Sequence, residues 1–253
     1  MNNKTKKYFV LAIVTVCALF FANSSFAWEV PNYIRANGGL RMWFTNLEGD
    51  LIQPDRTKIG LGENMGLKKE KLAWEFFASV RFDNVHVFWL RAEPSTVYDQ
   101  SSNDSFLQVK DWRLGYDFDF FMTPQILFGA NTDLVFAGYD SKVSNVVVGN
   151  STYNYRTEAN KVFPTLGIHC TYYPIVQGIA LRPNIAARVN WWNYNSLETW
   201  DWEALSGVDI PINSYWTWNI SGGYRYGHIK FKRDIDTVDV NRNGFFLETS
   251  LLF

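Results

Sequence analysis

The chain closes on Gly244-Phe245-Phe246-Leu247-Glu248-Thr249-Ser250-Leu251-Leu252-Phe253, a stretch whose alternation decides the fold. Phe245, Leu247, Thr249, Leu251 and Phe253 share one face at the period of two that a β-strand imposes, while Glu248 and Ser250 take the other. A strand built this way needs an apolar medium against its first face and a polar interior behind its second.

Working outward, the opposite end has a basic patch in Lys4, Lys6 and Lys7, an apolar run over 8–22 and a polar step ending Ser25-Phe26-Ala27. That order has the three-part form of a secretory signal peptide, with small residues at Ser25 and Ala27 for the peptidase. Cleavage is expected after Ala27, giving a signal segment 1–27 and one domain 28–253. The apolar run is too short for a spanning helix, which needs about 20 residues. A lipoprotein cysteine is excluded by Val16, the bulky neighbour of Cys17 in mid-run.

An exported chain ending in alternating apolar residues and a terminal phenylalanine resembles bacterial outer-membrane β-barrel proteins. The resemblance implies that Phe245, Leu247, Leu251 and Phe253 form the signal read by the barrel assembly machinery. It also implies periplasmic chaperones during biogenesis, and outer-membrane lipids and lipopolysaccharide as surroundings in a Gram-negative cell. It extends to the class of architecture alone and carries no residue-level activity with it.

Composition agrees with a barrel. Aromatic residues make up 17% of the chain and Trp alone numbers 11, as aromatic girdles at two membrane interfaces require. Removing the three leader lysines takes the formal charge from −1 to −4, so the basic footprint of a nucleic-acid binder is absent. Cys170 would be the one cysteine left, which excludes an intrachain disulfide. Without a long apolar helix, a membrane protein of this sequence must be a closed barrel, because lipid leaves no partner for open backbone groups.

Alternating segments separated by turn residues predict an antiparallel up-and-down transmembrane β-barrel of about ten strands, with eight or twelve as alternatives. The expected strands are 38–47, 71–82, 85–93, 109–120, 126–139, 162–173, 178–192, 200–210, 216–231 and 245–253. Short connections at 83–84, 121–125, 174–177 and 211–215 alternate with longer polar ones at 48–70, 94–108, 140–161, 193–199 and 232–243. The alternation predicts both termini in the periplasm and the long connections outside. Within the connection at 140–161, Val146, Val147 and Val148 predict a hairpin prolonged above the membrane.

Lipid-facing side chains must be apolar while a lumen tolerates charge. The parity therefore sends Arg41, Glu75, Arg81, Arg91, Glu93, Arg113, Asp117, Asp119, Asp133, Arg182, Arg188, Asp201, Glu203, Asp209, Arg225 and Glu248 inward. Both signs are present, and about ten strands leave little room once long side chains fill the bore. A packed or very narrow polar lumen is the expectation.

Catalysis would need a nucleophile or an activated water beside a base. The three histidines offer little. His86 has lipid-facing parity near a short turn, His169 faces inward beside Thr171, and His228 sits high on its strand near Lys230 and Lys232. Asp201 and Glu203 form a carboxylate pair expected near the outer rim, where ion pairing with Arg182, Arg188 or Arg225 competes with shared-proton chemistry. No zinc-ligand cluster, glycine-rich phosphate loop or calcium-loop spacing occurs, so no catalytic, cofactor or metal site is assigned. The expected function is a non-enzymatic integral outer-membrane protein with surface loops. A narrow porin-like channel for ions or small solutes, and a surface enzyme acting on lipid or peptide, are the alternatives.

Overall fold

The computed structural model describes residues 34–100, 104–175, 181–233 and 235–253. The signal segment and its cleavage point lie outside the described residues, as do the first residues of the strand expected at 178–192. Eleven strands follow in chain order: β1 (Arg35–Ile52), β2 (Lys58–Gly60), β3 (Glu70–Phe82), β4 (His86–Asp99), β5 (Phe106–Met122), β6 (Ile126–Val148), β7 (Ser151–Tyr172), β8 (Arg182–Tyr194), β9 (Leu197–Pro211), β10 (Thr217–Lys232) and β11 (Thr237–Leu252). All except β2 form one antiparallel sheet in chain order, closed by pairing of β11 with β1. The wall is thus a ten-stranded barrel, and β2 is a short return of the first connection onto the top of β1.

Closure uses the stretch quoted first. Asn37 pairs with Leu252, Arg41 with Glu248, and the ladder continues to Ile52 opposite Thr237. Below it, Phe253 N–H donates to Ala36 O at 2.9 Å, Ala36 N–H donates to Phe253 O at 2.7 Å, and the Phe253 ring packs on Trp216. Deleting Phe253 removes both bonds and the ring contact. The expected outcome is a marked fall in folded, heat-modifiable barrel on gels, with efficient assembly of the truncated chain as the contrary result.

Three connections at the end that carries Ile34 and Phe253, here the lower end, are short: 83–85, 123–125 and 212–216. The first turns on Asp83 and Asn84 at φ 48° and 59°, a left-handed pair in a three-residue connection where Val85 N–H donates to Phe82 O at 3.2 Å. The upper end corrects the sequence reading. Most of 94–108, 140–161 and 232–243 is strand and not loop: β6 spans 23 residues and β7 spans 22. A membrane crossing takes about 9–11 tilted residues, so the upper wall stands well clear of the bilayer. A bulge at Glu93/Thr96 restores the inward parity of β4 past Pro94, and another at Val143/Val146 does so for β6.

The reason these segments read as loops is that their polarity inverts. On the lower wall, Trp74, Phe76, Phe88, Leu90, Trp112, Leu114, Leu166, Trp191, Trp218 and Leu247 point outward and are exposed, forming the lipid belt. Higher on the same strands the outer face carries Glu48, Lys110, Asp140, Glu158, Lys230 and Asp239. The inner face changes in the opposite sense. On β5 it runs Asp119, Asp117, Arg113, Asp111 and then Val109, Leu107; on β11 it runs Ser250, Glu248, Arg242 and then Val240, Val238. Wall in lipid needs apolar residues outside, and wall in water needs them inside.

Candidate functional site

The lumen is the one feature into which most of the charged strand residues converge. At its lower end Arg81 donates to Asp119 at 2.5 Å, and Asp119 also meets His169 Nε2 at 2.6 Å. His169 Nδ1 has no hydrogen-bond partner among the described residues. Arg188 donates to Asp117 at 2.5 Å, and Asp117 also accepts from Trp89 Nε1 at 2.8 Å. Two connected cavities of about 190 and 180 Å³ lie here, sharing Asp117, Arg188, Glu203 and Leu205.

Above these cavities the bore is filled. Arg41 bridges three carboxylates, Glu248 at 2.5 Å, Glu203 at 2.9 Å and Glu75 at 3.4 Å. Glu203 is also held by Arg91 at 3.1 Å, and Glu75 by Arg225. Arg113 joins Asp111 at 2.9 Å and also meets Asp201, which Arg225 approaches at 3.5 Å. Asp133 accepts from Asn190 at 3.1 Å, and Asn131 caps Asn190 in turn. A last buried pair, Arg242 with Glu93 at 2.7 Å, extends to Tyr98 and Thr45.

Aromatic rings fill the space between the cations. The guanidiniums of Arg225 and Arg242 lie 4.7 and 4.6 Å from the ring centre of Trp43, and that of Arg41 lies 4.0 Å from Phe246. Arg41, Glu75 and Arg225 retain at most 3% side-chain exposure. Charges buried this deeply need opposite charge and further hydrogen bonds beside them, and each of the three has both.

The structure brings Arg41, Glu75, Arg91, Arg113, Asp201, Glu203, Arg225 and Glu248 into one network, and Arg81, Asp117, Asp119 and Arg188 line the cavity beneath. Asp201 and Glu203 are paired with arginines deep in the bore, so their expected place near the outer rim is corrected. Their partners are Arg113, Arg225, Arg41 and Arg91. Arg182 is the inward residue that the bore does not enclose: it is exposed and stacked 4.2 Å from the Tyr173 ring. Asp209 accepts from Asn184 and Asn219 near the same end. Outside the wall, His86 meets the Tyr116 hydroxyl at 2.7 Å and stacks on Phe118, while His228 meets Asn241 at 2.9 Å.

Asp111 and Arg242 belong to the network; sequence reading places Arg242 in a long connection and leaves Asp111, though inside the expected strand 109–120, out of the inward set. Their signal was parity: Asp111 falls two residues before Arg113, and Arg242 falls six before Glu248.

Above Arg242 the lumen turns apolar. Leu47, Leu51, Tyr98, Leu107, Val109, Val135, Tyr139, Val143, Val146, Phe231, Val238 and Val240 form one buried cluster, into which Ile59, Leu61, Met65 and Leu67 of the first connection insert from the top. Where this cluster meets the ion pairs lies a cavity of about 40 Å³, lined by Asp111, Arg113, Val135, Tyr139 and Arg242 among others. The polar lumen expected along the whole barrel therefore holds for its lower part alone.

A buried clasp ties the upper wall together. Arg233 pairs with Asp236 at 2.6 Å and donates to Ser141 and to the Thr157 carbonyl, while the Tyr155 hydroxyl donates to Asp236 and accepts from Gln53. Burial and the neighbouring Asp236 anion push the Tyr155 hydroxyl well above its ordinary value. A raised value in the folded state means that this contribution is whole below the ordinary tyrosine value near 10 and is lost as pH rises through the folded one. Protease resistance of the upper wall should fall at strongly alkaline pH, and Tyr155→Phe should blunt that fall. Identical alkaline profiles in the two proteins would contradict the clasp.

No family model matches this chain, and no curated protein matches it. Among solved structures it is similar to the outer membrane protease OmpT of Escherichia coli, at 8% identity over 91% of this chain and 99% of that one, with a TM-score of 0.49. A Pseudomonas aeruginosa FadL homologue (8% identity, 88% and 90% covered, TM-score 0.38) and the outer membrane protein OprG from the same organism (10%, 87% and 93%, 0.35) are further structures found. Likeness at this level assigns no activity to the chain.

Proposed function

We propose that the protein is an integral bacterial outer-membrane barrel with a sealed lumen, which neither conducts nor catalyses and which holds a tall, apolar-cored wall outside the cell. The short connections and both chain ends then face the periplasm. Outer-membrane lipids and lipopolysaccharide surround the belt, and the assembly machinery and periplasmic chaperones deliver the chain.

The observation that carries this is the apolar cluster capping the bore above a layer of buried ion pairs. A hydrated ion would have to break Arg41 and Arg113 from their carboxylates and then shed water among Leu51, Leu107 and Val238. Each step costs several kcal/mol by desolvation. His169 and Asp119 lie beneath these barriers, away from the outer surface where a lipid or peptide substrate would arrive.

Proteoliposomes in iso-osmotic sugar or salt test it. Swelling at the protein-free rate is expected; rapid swelling that depends on folded protein would favour the narrow-channel alternative.

A further inference from the structure

One part of the wall is not closed. The β6–β7 ladder runs the whole hairpin, from Ile126 opposite Tyr172 to Val148 opposite Ser151. The β7–β8 ladder stops at Leu166 opposite Trp191, although β7 continues upward by fifteen further residues and β8 by three. Pro164, two residues above the last pair, has no N–H to donate and suits a strand edge. Beyond it β8 turns into β9 at Asn195 and Ser196, leaving a notch beside the upper part of β7.

A groove of about 400 Å³ occupies the notch. Its floor reaches the apolar cap: Phe163 and Phe231 are 5% and 1% exposed, and Trp192 and Leu197 pack against the same cluster. Its mouth is open, since Tyr194, which has inward parity on β8, is 63% exposed. Val162 and Trp191 of the lipid belt border it, and Asn160 and Asn193 begin the polar wall above. The groove therefore sits at the upper membrane interface and is continuous with the bilayer.

Two lysines complete it. Lys161 points inward on β7 with its Nζ 5.7 Å from the Phe231 ring centre, and Lys232 ends β10 on the same groove. Neither has a carboxylate within 4.0 Å among the described residues, whereas the inward arginines of the network are paired. An apolar slot open to lipid, with Lys161 one residue above Val162 of the belt and Lys232 on the side away from it, both without a carboxylate partner among the described residues, matches a molecule with one acyl chain and an anionic head.

We propose that this groove is a binding site for an anionic, phosphate-bearing acyl lipid of the outer leaflet, with its phosphate held by Lys161 and Lys232 and one acyl chain lying against Phe163, Trp192 and Phe231. The site goes beyond the sealed-barrel function and rests only on the membrane-spanning belt. Conductance and lipid binding fail separately.

Native mass spectrometry of the refolded protein in maltoside micelles tests it, with lysophosphatidic acid as probe and lysophosphatidylcholine of the same chain as the zwitterionic arm. A stoichiometric lysophosphatidic acid adduct is expected. It should weaken about thirty-fold in Lys161→Ala/Lys232→Ala, at roughly one interfacial lysine contact each, and survive in Lys161→Arg/Lys232→Arg. Lys68→Ala/Lys69→Ala, on the first connection, should leave it unchanged. Equal binding of the two lipids, or indifference to the alanine pair in a protein that keeps heat-modifiable mobility, would overturn the site. Full displacement by millimolar inorganic phosphate would overturn the acyl-chain assignment.

Discussion

Arg41→Met should destabilise the barrel by about 3–5 kcal/mol, the cost of stranding buried charge when one partner of an ion pair is removed. Arg41 is the single cation common to Glu75, Glu203 and Glu248. Arg225 still faces Glu75 and Arg91 still faces Glu203, but Glu248 has no second arginine within 4.0 Å among the described residues. The loss should accordingly be partly recovered in Arg41→Met/Glu248→Gln, which removes the stranded carboxylate, and less so in Arg41→Met/Glu75→Gln, which leaves Glu248 stranded and leaves Arg225 only its longer pairs with Asp201 and Asp111. Urea unfolding in lipid vesicles, followed by tryptophan fluorescence, measures all four proteins. A loss under about 1 kcal/mol for the single variant would mean that the network is hydrated and exchanges partners freely.

The second large effect is expected in the cap. Leu107 is fully buried, in register between Tyr98 of β4 and Ser141 of β6. Leu107→Asp puts a carboxylate into the apolar cluster, where the neighbouring arginines, Arg233 and Arg242, are already paired with Asp236 and Glu93, so it must take a proton, break one of those pairs or open the cluster. A loss above about 4 kcal/mol is the expected class of effect for an unpaired buried charge. Lys110→Asp, three residues along β5 on the exposed outer face, should change stability by no more than about 0.5 kcal/mol. Limited proteolysis of the upper wall and binding of an apolar dye read the opening directly. Equal behaviour of the two variants would show that the upper bore is wet.

The fold class was legible because lipid is an unforgiving solvent. On the lower wall each outward position has to be apolar, so Trp112, Leu114, Tyr116 and Phe118 against Arg113, Asp117 and Asp119 leave one parity. The closing stretch at Phe253 was legible for the same reason. Strand length was not, because above the membrane the outside becomes polar, and Gln108, Asp140, Asn241 and Asp239 look like loop residues unless their neighbours Leu107, Tyr139, Val240 and Val238 are read as the new inside. Pairing was beyond sequence as well. Parity put Asp201 and Glu203 in the lumen, but shear across the sheet decides which arginines they meet, and these are Arg113 and Arg41, 88 and 162 residues away. The notch between β7 and β8 had one local signal, Pro164 in a strand, whose meaning depended on how far β8 rises.

Single-channel recording of the refolded protein in a planar bilayer tests the sealed lumen most directly. With a buried ion-pair layer below an apolar cap, no discrete conductance steps should appear beyond those of a protein-free membrane, at either polarity. Stable, reproducible steps whose ion selectivity changes on charge reversal at Arg113 or Arg188 would contradict it.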